Sequence, residues 1–366
     1  MRLALSPVVK ALALAVTLLA AGLVAQTASA EKYASIVIDA DTHEVLHARN
    51  ADEARYPASL TKVMTLYMLF DALKAGEVSL DERLVVSRHA ASQPPSNLKL
   101  RTGSTITVRD AIGALVSKSA NDVAVVVAER LGRSESRFAQ LMTVKAKSLG
   151  MHNTRFRNAS GLPDTQQMST ARDLAVLADA MLTDHADYYH YFSSRSFKWA
   201  GRTYKNHNEL LGNVDGVDGI KTGYTRASGF NLMTSAKRDG RRVIAIMLGG
   251  NTSRSRNSHV EDLVEAAFTT LNDPAHDTQL AFAGVLTPIH PNDAAEPMLN
   301  GKRISVIIAE GGSDDASDAS APAEETPVQE IAAHAKLETP VEPVEQSETR
   351  VMSVAEYEAR QMGLIK

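Results

Sequence analysis

The 366-residue chain contains no cysteine. That absence removes disulfides, thiolate metal sites and a cysteine nucleophile together, and it is compatible with an oxidising compartment without demonstrating one. The 11 histidines are scattered. No H-E-x-x-H helix and no paired His/Cys spacing occurs, so no metal and no cofactor is expected. His185 and His190 stand five apart, off the helical i+4 position, and His207 within "NHNELL" reads as a hydrogen-bonded structural residue. Aromatics make up only 5% of the residues, and no Lys/Arg run is interleaved with them, so nucleic acid is not an expected partner. The single long apolar run, Ala11 to Ala25, is shorter than the ~20 residues a membrane span needs.

That run fits a different purpose. Arg2 and Lys10 form a positive n-region, Ala11–Ala25 an apolar h-region, and Ala28-Ser29-Ala30 an A-x-A cleavage site. A signal peptide over 1–30 is expected, with export to the periplasm and the outer face of the inner membrane as an alternative station. A hydrophobic content of 44% supports a sizeable core in the remainder. The net charge of −4 hides an asymmetry: Glu310 to Glu348 carries 11 acids against Lys336 alone, net −10, leaving the rest beyond the leader at +4. So acidic a stretch, rich in Ala and Pro, buries too little apolar surface to offset chain entropy and is expected to be disordered over 310–350. Residues 351–366 read as a short helix or a frayed tail, and their mixed charge gives peripheral membrane contact little support.

Between leader and tail the patterning changes twice. "YASIVIDADTHEVLHARN" (Tyr33 to Asn50) reads as a hairpin. Helical patterns follow: "PASLTK" onward to about Lys74, Thr107 to Gly132 interrupted around Lys118 to Asp122, "ESRFAQLMTVKAKSLG", and "TARDLAVLADAML" capped by Ser169 or Thr170. From Val217 three β-like runs appear, the last two joined by the D-G turn signal Asp239-Gly240, and a helix, "SHVEDLVEAAFTTLN", closes the order. The fold class is therefore α+β, an antiparallel sheet of about five strands flanked by helices and split in sequence by a helical insertion. One domain is expected over 31–274, with a short extension over 275–309 in which "KRISVIIAE" could add one strand.

Ser59 and Lys62 lie three residues apart where an apolar helix begins, on one helical face. Serine is a weak nucleophile until a neighbouring base takes its proton. Lysine serves as that base only if desolvation or nearby positive charge lowers its pKa. Ser29/Lys32 and Ser96/Lys99 share the spacing, but neither starts an apolar helix. Two more polar groups occur in order: Ser119-Ala120-Asn121 interrupting a helix, and Lys221-Thr222-Gly223 ending a β run, about 60 and 100 residues further on.

S-x-x-K, S-x-N and K-T-G in this order form the signature of penicillin-binding proteins and class A β-lactamases. From Glu31 to about Asn272 the sequence resembles the low-molecular-mass penicillin-binding proteins, the D-alanyl-D-alanine carboxypeptidases. The stretches carrying that resemblance include "YPASLTKVMT", "VSKSANDVAVVVAE", "FRNASGLPDTQQMSTARDLAVLADAML", "VDGIKTGYTRASGFNLMTSA" and "IMLGGNTSRSRN". The resemblance implies that Ser59 attacks the bond between two D-alanines of a peptidoglycan stem peptide, with Lys62 as general base. Ser119 and Asn121 would relay protons and hold the substrate amide. Lys221 would lower the Lys62 pKa and steer the substrate carboxylate, with Thr222 bonding nearby. The backbone N–H groups of Ser59 and Tyr224 would form the oxyanion hole, and Gly223 would admit the substrate strand. Arg256, with Arg254 as rival, stands where such enzymes often carry an arginine near the carboxylate. β-Lactams would be covalent inhibitors.

The chain departs from that pattern after Asn272, where the stretch is too short in ordered sequence and too acidic for the C-terminal β-sandwich these carboxypeptidases commonly carry. A D,D-endopeptidase shares the catalytic residues and stays open. A β-lactamase needs a deacylating glutamate, and between Glu129 and Lys221 only Glu135 and Glu209 occur, neither well placed. A non-catalytic wall-binding protein is the remaining alternative.

Overall fold

Strands Ala34–Asp39 (β1) and Val45–Arg49 (β2) pair antiparallel, turned by Asp39, whose Oδ1 accepts the Asp41 and Thr42 N–H groups at 2.7 and 3.2 Å. The structure, a computed structural model, describes residues 32–273 together with the antiparallel strand pair Met298–Leu299 and Lys302–Arg303. The expected leader, acidic tail and terminal helix lie outside the described residues, as does all of "KRISVIIAE" beyond Arg303.

Three later strands complete the sheet: Val217–Thr225 (β3), Gly229–Arg238 (β4) and Arg241–Gly250 (β5). The order is β2-β1-β5-β4-β3, antiparallel throughout. Asp239 and Gly240 both take positive φ, 47° and 85°, as the tight mirror-image hairpin turn requires. Side chains alternate across β5: Ile244, Ile246 and Leu248 join the larger core under the helices, while Val243, Ala245 and Met247 join a second core on the other face. Each aliphatic side chain fully buried in this way contributes about 1.5–3 kcal/mol, which anchors the strand at the centre of the sheet.

The helical insertion comprises Thr61–Lys74 (α1), Asn121–Gly132 (α2), Glu135–Ser148 (α3) and Ala171–Asp184 (α4), with shorter turns between them. Residues Asn121 to Ala128 of α2 are all buried, so "VAVVVA" is apolar on every side because this helix is enclosed on every side. Thr170 caps α4, its Oγ1 accepting the Asp173 N–H at 3.0 Å. Ser253–Leu271 (α5) covers the second core. It begins five residues before the helix expected at Ser258, because Thr252 and Ser255 form a reciprocal capping box with bonds of 3.0 and 3.2 Å. Two small antiparallel strand pairs, Arg83–Val85 with Thr105–Thr107 and Ser196–Trp199 with Arg202–Lys205, have no counterpart in the sequence pattern read above. Among the described residues no helix is long and apolar enough to cross a membrane.

The edge strand β3 pairs with β4 alone, and its outer side faces the insertion at the start of α1. That junction of sheet edge and helix start is where the three motifs converge.

Candidate active site

Ser59 sits in a 3₁₀ turn, Ala58–Leu60, that feeds directly into α1. Ala58 takes a positive φ of 48°, a conformation costing an alanine about 1–2 kcal/mol. Neighbours on two sides hold it there. Asn231 of β4 donates from Nδ2 to the carbonyls of Tyr56 and Pro57 at 3.0 and 3.2 Å. Gly161, at φ +86°, lies so close that a Cβ on it would stand 1.9 Å from the Ala58 carbonyl oxygen. On the third side is Gly223, where a Cβ would stand 3.0 Å from the Ser59 nitrogen. The Ser59 N–H and the backbone of β3 around Gly223 thus border one space.

Lys62 is fully buried. Its Nζ contacts Ser59 Oγ at 3.1 Å, Asn121 Oδ1 at 2.8 Å and the Ser160 carbonyl at 2.5 Å. Two of these partners only accept, whereas the hydroxyl can also donate. A neutral amine therefore fits the cage completely: two N–H bonds to Asn121 and Ser160, and its lone pair facing the Ser59 proton. Burial first, and the Lys221 charge second, push the Lys62 pKa well below its ordinary 10.5, with Asp122 and Glu135 opposing. The geometry and the electrostatics favour the same protonation state, that of a base.

Asn121 opens α2, and its orientation is fixed on both sides. Its Nδ2 donates to the Pro94 carbonyl at 2.9 Å, which turns Oδ1 toward Lys62. Just before it, a π-helical turn at Ala114–Lys118 ends in Ser119, left-handed at φ 58°. Wide turns of this kind recur at functional sites. Ser119 Oγ is buried and has no hydrogen-bond partner among the described residues. A buried hydroxyl held in strained backbone without a partner is a group arranged for something the chain itself does not supply.

Lys221 is buried on β3, with a bond from Nζ to the Thr222 carbonyl at 3.1 Å. Burial and then the Arg256 charge lower its pKa to about 7. Arg256 is itself buried, donating from Nη1 to the Asn231 carbonyl at 3.1 Å, and burial lowers it to about 10. Arg254, its rival in the sequence, is exposed. Thr222 is buried beside Lys221, and Tyr224 is exposed at the rim, its ring tilted against Phe230 at 4.3 Å. Two enclosed basic side chains, Lys221 and Arg256, make this end of β3 a place for an anion. His207 requires a correction: the structural bonds of "NHNELL" come from Asn206 and Asn208, not from its ring. His207 is exposed as a residue, and partial desolvation followed by the charges of Lys221, Lys118, Lys62 and Arg256 lowers its pKa to about 4.

A family model described as D-alanyl-D-alanine carboxypeptidase matches residues 22–252. The chain belongs to the D-alanyl-D-alanine carboxypeptidase family. The carboxypeptidase DacF of Bacillus subtilis is 34% identical over 248 residues, 65% of this chain and 62% of the relative. The carboxypeptidase DacC of Escherichia coli is 34% identical over 75% of this chain and 68% of its own length. The solved carboxypeptidase DacD from Francisella tularensis superposes with a TM-score of 0.62 at 29% identity, covering 65% of this chain and 70% of that one. Penicillin-binding protein D2 from Listeria monocytogenes, solved with cefotaxime bound, gives 0.59 at 33% identity over 64% and 96%. The chain shares the penicillin-binding-protein fold. It spans 62% of the length of the Bacillus relative and 61% of the DacD of Salmonella typhimurium.

Several residues of this carboxypeptidase-family chain that build the site had escaped the sequence reading. Ser96, whose S-x-x-K spacing with Lys99 starts no apolar helix, accepts the Asn121 N–H on its carbonyl at 2.7 Å and donates its hydroxyl to the Lys118 carbonyl at 2.8 Å. Glu135 accepts the Ala159 N–H at 3.1 Å and meets His89 at 2.7 Å, bracing the segment whose Ser160 carbonyl holds Lys62. Asn231 carried the one legible signal, a lone amide in the apolar strand "FNLM", since a buried polar side chain needs partners.

Proposed function

We propose that the protein is a serine D-alanyl-D-alanine carboxypeptidase acting on peptidoglycan stem peptides through an acyl-enzyme, and that penicillin inhibits it. The observation that carries the reading is the cage around Lys62 Nζ, two acceptors and one hydroxyl at 2.5–3.1 Å. Ser59 Oγ attacks the carbonyl of the penultimate D-alanine as Lys62 takes its proton. The carbonyl oxygen becomes an oxyanion held by the N–H groups of Ser59 and Tyr224, where each such donor is worth about 3 kcal/mol. Lys221, Arg256 and Thr222 hold the terminal carboxylate. Ser119 passes a proton to the departing nitrogen, so the C–N bond breaks and free D-alanine leaves. Water then attacks the ester, with Lys62 again as base, and Ser59 is restored. The leader-like pattern over residues 1–30 supports work outside the cytoplasm.

Rapid turnover of penicillin has no comparable support. Glu135, the first glutamate after Glu129, has its carboxylate engaged by Ala159 and His89 rather than free to direct a water. A fluorescent penicillin should label the wild type and not Ser59→Ala. Incubation with a pentapeptide and with a crosslinked dimer, products followed by mass, should release one alanine from the first. Release of monomers from the dimer alone would replace this reading with an endopeptidase, and an unlabelled wild type would leave a binding protein.

A further inference from the structure

The peptide link that holds Lys62 is itself held from outside the cleft. Ala159, just before Ser160, is pinned at both ends. Its carbonyl accepts Thr65 Oγ1 at 2.7 Å, one turn along α1 from Lys62, and its N–H donates to Glu135 Oε1 at 3.1 Å. Thr65 and Ala159 are fully buried, so neither bond can pass to water while the core stays closed. Glu135 opens α3, where a helix N-terminus favours a carboxylate. Its other oxygen, Oε2, lies 2.7 Å from Nε2 of His89, on the short turn Arg88–Ala91. A carboxylate only accepts, so Nε2 carries the hydrogen of that bond. A further proton therefore goes to Nδ1, which faces the Gln93 amide nitrogen at 3.5 Å on a side chain 54% exposed to water.

The charges that act on Lys62 come from three elements. Lys221 of β3 favours the neutral amine, while Asp122 of α2 and Glu135 of α3 favour the ammonium. Asp122 is committed to backbone, accepting the N–H groups of Leu98, Leu100 and Val123 at 2.9–3.1 Å. Glu135 differs in being paired with a titratable side chain at the surface. Also at that turn stand Arg88, which is exposed, and Glu129 of α2, which accepts Ser87 Oγ at 2.8 Å. Resting on the role proposed above for Lys62, we propose that Glu135 is a positioning residue for the base and that His89 is its link to solvent. Through Ala159, Glu135 aims the Ser160 carbonyl at Lys62, and a proton taken up by His89 offsets the Glu135 charge. Acidification, which by itself would protonate Lys62, thus also weakens the field that favours its ammonium. The base stays neutral further into acid than it would beside an unpaired carboxylate.

The test follows acylation of the full chain by a fluorescent penicillin against pH. Glu135→Ala leaves the Ala159 N–H unpaired and frees the Ser160 carbonyl, and its maximal rate should fall about 10- to 100-fold. Glu135→Gln, whose amide oxygen can still accept that N–H, should recover most of the loss. Its acid limb should nevertheless move to lower pH by about 0.5–1 unit, the effect of removing one screened charge. His89→Gln keeps a donor but takes up no proton, and should move the limb to higher pH by a similar amount. Combined with Glu135→Gln, it should move the limb no further. A merely structural brace would change Tm and the maximal rate and leave the limb in place. An unmoved limb in Glu135→Gln, or a His89→Gln shift that persists once the Glu135 charge is gone, overturns the proposal. A labelled wild type with unmoved limbs in the variants removes only this inference, whereas an unlabelled wild type removes the proposed function and this inference with it.

Discussion

A single methyl group added at Gly223 tests how the sheet edge serves the nucleophile. Its Cβ would stand 3.0 Å from the Ser59 nitrogen and 3.2 Å from both the Ala58 Cβ and the Pro57 oxygen. None of these belongs to the far end of a flexible side chain, and the Pro57 carbonyl is tied at 3.2 Å to Asn231, so the turn yields only a few tenths of an ångström. Overpacking of that kind costs about 1–3 kcal/mol. For a domain of this size it lowers Tm by about 2–4 °C per kcal/mol, which leaves a folded protein. The catalytic loss is larger, because the methyl sits against the N–H assigned to the oxyanion hole. Losing one such donor costs about 10²–10³ in rate. Gly223→Ala should therefore slow acylation by a fluorescent penicillin by two to three orders of magnitude while a thermal melt shows a drop of a few degrees. Acylation within about threefold of wild type, with the same small drop in Tm, would show that the Ser59 N–H does not bind the oxyanion.

Four further outcomes follow from the buried cations and from Asn231. Because Lys221 in the free enzyme has its pKa lowered to about 7 and its charge attracts the substrate carboxylate, kcat/KM should fall as pH rises through about 7; an alkaline limb above pH 9 would contradict this. In Lys221→Gln that limb should vanish and the acid limb move to higher pH, since Lys221 is one of the causes holding Lys62 down. A lysine whose folded pKa is lowered from 10.5 to about 7 destabilises the fold fully below pH 7 and not at all above 10.5, so Lys221→Met should raise Tm at pH 6, by an amount that disappears by pH 10.5. Asn231→Asp removes the donor to the Tyr56 and Pro57 carbonyls, each left-over buried acceptor costing about 1–3 kcal/mol, and should lower both Tm and the acylation rate, whereas Asn257→Asp, on the far side of Arg256, should change acylation far less.

What could be read from the sequence and what could not divides along a physical line. The β5 run "VIAIML" and the Asp239-Gly240 turn carry their own local signals, apolar alternation and a backbone needing positive φ, and the five-stranded antiparallel sheet follows from them. Ser59 and Lys62 are equally local, being one turn apart. The state of Lys62 is not local. It depends on the Asn121 amide, turned by a bond to the Pro94 carbonyl, and on a carbonyl at Ser160, nearly 100 residues away and held by a brace from Glu135 to Ala159. Backbone carbonyls have no residue identity, so no pattern of letters announces them. The two glycines that flank the nucleophile turn show the same limit from the other side. Gly223 is visible as part of K-T-G, but the reason Gly161 carries no side chain, a clash with the Ala58 oxygen at 1.9 Å, exists only once chain segments a hundred residues apart are brought together. The chemistry-bearing side chains are thus written in order along the chain, while the arrangement that makes one of them a base is a property of the folded backbone around it.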